Sequence, residues 1–226
     1  MHTLSERLKL IASLIKRGAS VCDVGTDHGY LSIFLKNTGI ASSVIATDIR
    51  EKPLATAEKN VKKADVSGIE LRLCDGLDAV KKDEADTVII AGMGGEVISG
   101  ILSRCKWISN EDITLILQPM TSAEQLRKYL YDNGFEIIEE PTVLDTGRVY
   151  SVMLVRFSGK TEEKPSHFYY IGKIDTNTEN GATYINKQIK RLSDCAASLE
   201  NIPEKKREYE FYFKTAKSLE EIKNGI

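Results

Sequence analysis

The stretch Asp23-Val24-Gly25-Thr26-Asp27-His28-Gly29-Tyr30-Leu31 decides the fold class of this chain of 226 residues. It begins inside the apolar run Val21–Val24, which is typical of a buried strand, and it leads into the helical pattern Gly29–Lys36. Its D-x-G-x-x-x-G spacing is that of a tight turn in which glycine lets the backbone approach a ligand closely. A strand, a glycine turn and a helix in this order predict the first βα unit of an α/β fold.

The residues that follow repeat this alternation of strand and helix. Helical periodicity appears in Pro53–Ala64, Glu96–Cys105 and Ala123–Asp132. Strand-like runs lie between these helices at Val44–Ile49, Ile69–Asp75, Thr87–Met93 and Ile113–Gln118. Strands separated by helices predict βαβ units and a parallel sheet.

Two further runs end this part of the chain without a helix between them. Phe135–Leu144 and Val149–Phe157 flank Asp145-Thr146-Gly147, a turn sequence that predicts a β-hairpin. We therefore expect a Rossmann-like sheet of parallel strands that ends with an antiparallel hairpin strand.

Helical patterns flank this sheet on both sides. An amphipathic helix is predicted over residues 4–17, with Gly18 as its stop. After linker-like residues 158–165, two apolar stripes predict a coiled-coil-like helical hairpin around Asn201-Ile202-Pro203. We therefore predict a sheet domain over residues 1–158 and a helical domain over residues 159–226.

Composition excludes several classes of protein. Hydrophobic residues make up 42% and charged residues 28% of the chain, and no apolar run approaches the ~18 residues of a membrane span. The first residues lack the apolar core of a signal peptide. The four cysteines are scattered, so we expect a cytoplasmic protein without a disulfide framework or a metal site. A net charge of −2 means that any RNA contact would depend on local basic patches.

The candidate site follows from where the strands end, because open α/β sheets bind ligands beyond the carboxyl ends of their strands. Asp27 stands where dinucleotide-binding turns carry a second glycine, and its carboxylate suits a cationic amine or sulfonium better than a pyrophosphate. Asp48 follows Gly29 by 19 residues, close to the spacing at which an acidic residue binds ribose hydroxyls. Asp75 can accept a hydrogen bond from an adenine amino group. Asp23, Asp48 and Asp75 together predict a ligand that contains adenosine.

Other interpretations of these residues stay open. Asp27 is alternatively the N-cap of the helix that follows it, and Asp48 a cap ahead of Pro53. The glycine-rich segment Gly92–Gly95 exposes backbone groups that can bind the edge of a flat ring, or it is a flexible turn. The segment Gln118-Pro119-Met120 would form another wall of the site.

With these motifs the sequence resembles the class I S-adenosylmethionine methyltransferases, and more narrowly the bacterial tRNA (adenine-22-N1)-methyltransferase family. The resemblance runs from Leu4 to about Arg156. It is carried by the stretches LSERLKLIASLI, DVGTDHGYLSIFL, IATDIREKPLATAEKN, LRLCDGL, IIAGMGG, LILQPM and LRKYLYDNGFEIIEE. The pair DVGTDHGYL and IAGMGG is its most specific part.

The resemblance implies a class I methyltransferase fold, S-adenosylmethionine as cofactor and tRNA as partner. It places the cofactor against Arg7, Asp23, Gly25, Thr26, Asp27, His28, Gly29, Tyr30, Asp48, Ile49, Asp75, Gly76, Leu77 and Gly92.

The implied reaction is attack by N1 of adenine 22 on the sulfonium methyl. The residues proposed for catalysis are Asp27, His28, Gly92, Met93 and Gly94. Carbonyls of Gly92–Gly94 would accept from the exocyclic amine, and Asp27 would favour the cationic product. His28 relays the amine proton or, alternatively, only holds its loop.

Basic residues at both ends of the chain are candidates for phosphate contacts. They are Arg7, Lys9, Lys16 and Arg17 in the first helix, and Lys187, Lys190 and Arg191 opposite the first apolar stripe of the tail. A solvated helix face is the alternative. We expect a monomer with no protein partner, with a homodimer as the other possibility.

Three other functions stay open at this point. The chain could methylate a small molecule and use its helical tail to dimerise. It could be a nicotinamide dehydrogenase, although Asp27 in the glycine turn argues against that. It could also be an adenosine-binding module without catalytic activity.

Overall fold

A computed structural model of the chain describes residues 4–225, which form nine strands and eight α-helices. The strands are β1 (Ala19–Val24), β2 (Ala41–Asp48), β3 (Ile69–Leu73), β4 (Thr87–Gly94), β5 (Thr114–Thr121), β6 (Phe135–Glu139), β7 (Thr142–Asp145), β8 (Arg148–Ser151) and β9 (Met153–Phe157). The helices are α1 (Glu6–Ser13), α2 (Tyr30–Asn37), α3 (Glu51–Ala64), α4 (Gly95–Arg104), α5 (Ala123–Asp132), α6 (Ser166–Ile171), α7 (Glu179–Leu199) and α8 (Lys206–Lys223).

Seven strands form one sheet in the order β3-β2-β1-β4-β5-β9-β6. The first five strands are parallel, and the order reverses between β1 and β4, which places the ligand-binding crevice above these two strands. The predicted α/β class with a mainly parallel sheet is confirmed.

Alternating side chains of the buried strands supply two apolar layers, one on each face of the sheet. Val21 and Ile89 pack with α1 and α2, whereas Val24 and Ile90 pack with α4 and α5. Because both faces are covered, β1 and β4 are apolar along almost their whole length, as their sequences predicted.

The prediction that an antiparallel strand closes the parallel series is confirmed, and the structure adds where in the sheet that strand lies. β9 is antiparallel to both β5 and β6, and it lies between them, so β6 occupies the sheet edge and runs parallel to β5. The predicted hairpin turn does form, with positive φ at Thr146 and Gly147, but it joins β7 and β8 in a separate ribbon of two strands. Pro141 lies between β6 and β7, where its missing N–H cannot continue a ladder.

The N-terminal helix is shorter than the predicted range 4–17. α1 ends at Ser13, because the N–H groups of Leu14 and Ile15 bond to carbonyls three residues back, at 3.2 and 3.3 Å, instead of four. Ile15 is buried in the apolar layer beside α2. Lys16 and Arg17 therefore lie beyond the helix, where both are exposed.

The predicted pair of tail helices forms, and α7 packs along α8 through Ile185, Leu192 and Leu219. A short helix that the sequence did not reveal, α6, precedes them. Residues 160–165 have no regular secondary structure, in agreement with the predicted linker, and the division into domains at residue 158 stays a prediction.

A fully buried ion pair attaches this tail to the sheet domain. Arg127 on α5 donates to the Glu140 carboxylate at 2.5–3.2 Å, and both side chains have no exposed surface. Arg127 also donates to the Tyr169 carbonyl at 2.6 Å and to the Tyr184 hydroxyl at 3.1 Å. Burial opposes the charge of Arg127, but Glu140 and Tyr184 hold its pKa above the ordinary value. One side chain thus joins α5, α6 and α7.

Between Leu4 and Gly225, none of the helices combines the length and the apolar character that crossing a membrane would need.

Candidate functional site

A cavity of about 710 Å³ lies beyond the carboxyl ends of β1, β2, β3 and β4. Its volume falls in the usual range for small-molecule sites. Of the residues proposed from the sequence, the cavity is lined by Arg7, Asp23, Gly25, Thr26, Asp27, His28, Tyr30, Asp48, Ile49, Asp75, Gly76, Gly92 and Met93. The sequence did not single out Arg50, Cys74 or Val97, which also line it.

Three proposed residues lie outside this lining. Leu77 is buried in the apolar layer with α4 and α5, so it supports the site from below. Gly29 is the N-cap of α2, where a Cβ atom would lie 3.2 Å from the Cβ of Ala57. Gly94 is the N-cap of α4 and approaches Thr121. The structure therefore gives these three positions packing roles.

Asp23 anchors the turn after β1. Its carboxylate is buried and accepts hydrogen bonds from the Thr26 hydroxyl at 2.8 Å and the Ser32 hydroxyl at 2.6 Å. Burial raises the pKa of this carboxyl above its ordinary value, and the two hydroxyl donors counteract part of that rise. The bonds fix the turn against the first turn of α2, a contact that the sequence did not reveal for Ser32.

Gly25 and Asp27 both have a positive φ, in the left-handed region of backbone conformation. Gly25 has φ +72°, and a Cβ atom there would lie 2.2 Å from the Met93 methyl carbon. Asp27 has φ 53° and a half-exposed carboxylate that lies 3.4 Å from His28 Nε2 and 4.0 Å from an Arg50 guanidinium nitrogen. Because α2 begins after Gly29 without a side-chain cap, the alternative that Asp27 caps this helix is wrong. Asp27 instead places a negative charge at the rim of the cavity.

Asp48 is the best-defined carboxylate in the cavity. It is only 4% exposed, and its oxygens accept from the backbone N–H of Arg50 at 2.9 Å and of Asp27 at 3.3 Å. The N-cap position of α3 is Arg50, which has no side-chain cap, so Asp48 does not cap that helix from the N-cap position. Two backbone donors from neighbouring turns hold the carboxylate at the end of β2 and facing the cavity, and each oxygen keeps a second lone pair.

Asp75, which was assigned to the adenine amino group, already has an ion-pair partner in the structure. One of its oxygens lies 3.0 Å from a guanidinium nitrogen of Arg104, which also approaches Asp78 at 3.7 Å. Asp75 is about half exposed. A base amino group would therefore share this carboxylate with Arg104, a residue that sequence reasoning missed.

The end of β4 contains a bulge at Gly92. Its neighbours Ala91 and Met93 pair with consecutive residues of β5, so Gly92 is the extra residue, and its φ is +79°. Gly92–Gly94 belong to a strand end rather than to a flexible turn. A Cβ atom on Gly95 would lie 2.2 Å from the Ser122 carbonyl, so that glycine allows close packing and does not face the cavity.

Gln118 on β5 holds this bulge in place. Its side chain has no exposed surface, and Oε1 accepts from the Gly92 N–H at 3.1 Å and from Arg7 at 2.5 Å. Arg7 also lies over the Tyr150 ring at 5.7 Å. The Gly92 N–H points towards Gln118, and in a trans peptide the carbonyl of the preceding residue points the opposite way. The Ala91 carbonyl therefore points to the β1 side, where β1 has already ended at Val24. That carbonyl is thereby directed towards the cavity, where Ala91 is part of the lining.

We predict that Gln118→Leu raises the KM for a base-bearing substrate far more than the KM for the cofactor. Losing Gln118 leaves a part-buried N–H at Gly92 without its acceptor and frees Arg7, which costs roughly 1–3 kcal/mol. Steady-state kinetics with each substrate varied in turn measures the effect. Gln125→Leu, the same substitution at an exposed position of α5, is the control. Equal kinetics for Gln118→Leu and the wild type would exclude a positioning role.

The basic residues proposed for RNA contact differ in their availability. Lys16, Arg17 and Lys187 are exposed, and Lys9 and Lys190 are exposed while paired with Glu6 and Asp194 at 2.6 and 2.9 Å. Arg191 is exposed as well, and its guanidinium contacts the sheet domain.

Arg191 makes contacts within the molecule that the sequence did not reveal. Its guanidinium donates to Glu124 of α5 at 3.0 Å and lies over the Tyr170 ring at 5.4 Å. This side chain joins the tail to the sheet domain while its own surface stays 44% exposed, so its contact with RNA stays a prediction. Arg7 is directed into the cavity rather than onto an outer surface.

Comparison with known proteins identifies the family to which the chain is similar. The sequence family described as "Methyltransferase domain" matches residues 4–153. The tRNA (adenine(22)-N(1))-methyltransferase of Bacillus subtilis is 38% identical over 152 residues, which cover 67% of this chain and 64% of that protein. The matched region thus spans somewhat less than two thirds of this relative.

Two solved structures are similar along nearly the whole chain. The B. subtilis m1A22 tRNA methyltransferase TrmK superposes with a TM-score of 0.87 at 29% identity, covering 98% of this chain and 99% of that one. M. capricolum TrmK, solved with the cofactor product S-adenosyl-homocysteine, superposes with a TM-score of 0.81 at 26% identity and covers 99% of both chains. The likeness therefore includes the helical tail.

Proposed function

We propose a function from the premise that this chain belongs to the tRNA (adenine-22-N1)-methyltransferase family, a branch of the S-adenosylmethionine-dependent methyltransferases. The chain transfers a methyl group from S-adenosylmethionine to N1 of adenine 22 in tRNA. The observation that carries this proposal is the cavity above β1 and β4, where the Asp48 carboxylate and the Gly92 bulge lie at opposite sides of one crevice. We place the activity in the cytoplasm, where its substrate is.

The residues of the cavity fit this cofactor. Asp48 is held by two backbone donors with lone pairs remaining for the ribose hydroxyls, and the turn Gly25–Asp27 offers backbone at close range for the methionine part. Asp75 and Gly76 line the region assigned to adenine. A carboxylate at position 27 also fits a cationic ligand, whereas it would repel the pyrophosphate of a nicotinamide cofactor.

When bound, the cofactor supplies a methyl group on a sulfonium, which is an intrinsically good electrophile. Adenine N1 carries a lone pair in the neutral base, so no proton needs to leave before attack. The chain mainly places N1 about 3–3.5 Å from the methyl carbon and excludes water. The carbonyls of Ala91 and Gly92 accept from the exocyclic amine, whose charge increases as the base becomes cationic.

Asp27 and His28 lie at the rim, where that positive charge develops. The Asp27 carboxylate stabilises the cationic product through space, and the neighbouring His28 imidazole is half exposed and can pass a proton to solvent. His28 also contacts the ring of Tyr30 at 5.6 Å, so it supports the turn in addition.

Because a base-paired N1 cannot react, the target nucleotide must leave its stem, and the enzyme must hold the rest of the tRNA. The exposed lysines Lys187 and Lys190 on α7, and Lys16 and Arg17 after α1, are the candidates for phosphate contact. We propose that the chain acts as a monomer and that its tail contributes to this grip.

The proposed function is tested by incubating the protein with S-adenosylmethionine and unmodified tRNA. Digestion and mass mapping should place one added methyl group on N1 of adenine 22. A methyl group elsewhere in tRNA would overturn the position, and transfer only to small molecules would overturn the substrate class.

We further predict that Lys187→Glu with Lys190→Glu weakens tRNA binding and leaves cofactor affinity unchanged. Each lost phosphate contact lowers the slope of log affinity against log salt by about 0.7–0.9. Stability should change little, since both side chains are exposed and only Lys190 loses an ion pair. Binding is measured at several salt concentrations. Lys81→Glu with Lys82→Glu, equally exposed but ahead of β4, is the matched control. Identical slopes for both double variants would show that the α7 lysines form only a solvated face.

A further inference from the structure

A second groove, of about 480 Å³, runs between α2 and α3 beside the cofactor cavity, and nothing in the proposed reaction uses it. Residues 30, 33, 34 and 37 form its α2 side, and residues 60, 63 and 64 form its α3 side. Both sets have the spacing of residues that share one face of a helix. The lining consists of Tyr30, Ile33, Phe34, Asn37, Thr38, Asn60, Lys63 and Ala64.

The chemistry of this lining fits a nucleotide. Tyr30 and Phe34 offer aromatic surface, which is the general means by which proteins hold unstacked bases. The amides of Asn37 and Asn60 carry both donors and an acceptor suited to base edges. Lys63 is exposed at the rim, where its ammonium can meet a phosphate.

The surrounding charge also favours a polyanion. Helix α3 contains four lysines and two glutamates, whereas the whole chain has a net charge of −2. The lysines are Lys52, Lys59, Lys62 and Lys63, and the glutamates are Glu51 and Glu58. This local excess of positive charge is what an RNA contact on an otherwise acidic chain requires.

The groove is continuous with the catalytic turn. Tyr30 lines both the groove and the cofactor cavity. Asn60 donates from Nδ2 to the His28 carbonyl at 2.9 Å, so the α3 wall of the groove also holds the turn that carries Asp27 and His28. A group bound in the groove therefore lies next to the reaction site.

We propose that the groove between α2 and α3 binds an unstacked nucleotide of the tRNA that flanks the target adenine. This inference rests on the proposed function, since it assumes that tRNA is the substrate. Extruding the target base removes a stacking partner from its neighbours. A site that receives one neighbour restores stacking for it and stabilises the opened stem while the target lies in the cavity.

The test uses the full chain with intact tRNA. Phe34→Leu keeps apolar packing but removes the aromatic face, and we expect the KM for tRNA to rise at least about fivefold, the lower end of the effect of one lost base stack. Phe34→Tyr restores the face and should behave like the wild type. Lys63→Glu should lower the salt slope of tRNA binding by about 0.7–0.9, whereas Lys82→Glu, exposed and remote, should not. Calorimetry should show S-adenosylmethionine affinity within about twofold of wild type throughout.

Ultraviolet crosslinking of the wild-type complex with tRNA, followed by peptide mapping, gives a direct readout. A crosslinked peptide that contains residues 30–38 supports the inference. Crosslinks confined to other elements, together with an unchanged KM for Phe34→Leu, overturn it while leaving the proposed function intact. A loss of melting temperature and of affinity for both substrates in Phe34→Leu, with no effect of Lys63→Glu, also overturns it, because Phe34 would then serve packing alone. If the wild type does not methylate tRNA, the proposed function itself fails.

Discussion

Arg127→Met is expected to lower the free energy of unfolding by about 3–5 kcal/mol, the largest effect of any single substitution considered for this chain. The substitution leaves the Glu140 carboxylate fully buried without its counter-charge. It also removes the donors to the Tyr169 carbonyl and the Tyr184 hydroxyl, which connect α6 and α7 to α5. Urea unfolding followed by circular dichroism measures the difference.

Two further variants separate the buried charge from ordinary loss of contacts. Replacing both Arg127 and Glu140 by methionine should recover much of the loss, because no unpaired charge then remains in the interior. Lys128→Met, which removes the neighbouring exposed ion pair with Asp132, should change stability by less than about 1 kcal/mol. A loss below about 1 kcal/mol for Arg127→Met would show that the ion pair does not hold the tail in place.

Asp48→Ala is expected to weaken binding of S-adenosylmethionine by more than about tenfold. The variant loses charge-assisted hydrogen bonds to the ribose hydroxyls, worth roughly 1.5–3 kcal/mol. It also leaves the N–H groups of Asp27 and Arg50 without their shared acceptor, so the turn that faces the methionine part becomes less ordered. Isothermal titration calorimetry on the folded variant gives the affinity.

Asp78→Ala is the matched control for this measurement. Asp78 is an exposed carboxylate near Arg104 that does not line the cavity, so its removal should leave cofactor affinity unchanged. Unaltered affinity in a folded Asp48→Ala protein would remove Asp48 from the cofactor site. An equal loss in both variants would indicate a general effect of negative charge rather than a contact with ribose.

Much of the fold could be predicted from the sequence because the signals are local. The alternation of strands and helices follows from hydrophobic periodicity within a few residues, and α5 begins and ends at the residues that its periodicity predicted. The aspartates at the carboxyl ends of β1, β2 and β3 could be assigned to one site for a simple reason. Parallel strands bring their carboxyl ends to the same edge of a sheet.

Local signals also explain where prediction failed. The sequence reveals that β7 and β8 form a hairpin, but it does not reveal that β9 inserts between β5 and β6, since strand order depends on which distant strands pair. Leu77 lies only two residues after Asp75 in the same loop, yet it is buried in the apolar layer. Arg191 has the spacing of an outer face and is exposed, and only the tertiary structure reveals its ion pair with Glu124 on α5.

The sequence by itself determined the fold class, the edge of the sheet at which the cavity lies and the carboxylates that line it. The tertiary structure alone decided how the reacting end is built. Arg7 and Gln118 are separated by 111 positions in the chain and meet at the Gly92 bulge, while Arg127 and Tyr184 are separated by 57 positions and meet beneath the tail. Periodicity and spacing report only on neighbours in sequence. Contacts of this kind form when packing brings distant segments together and their buried polar groups must find partners.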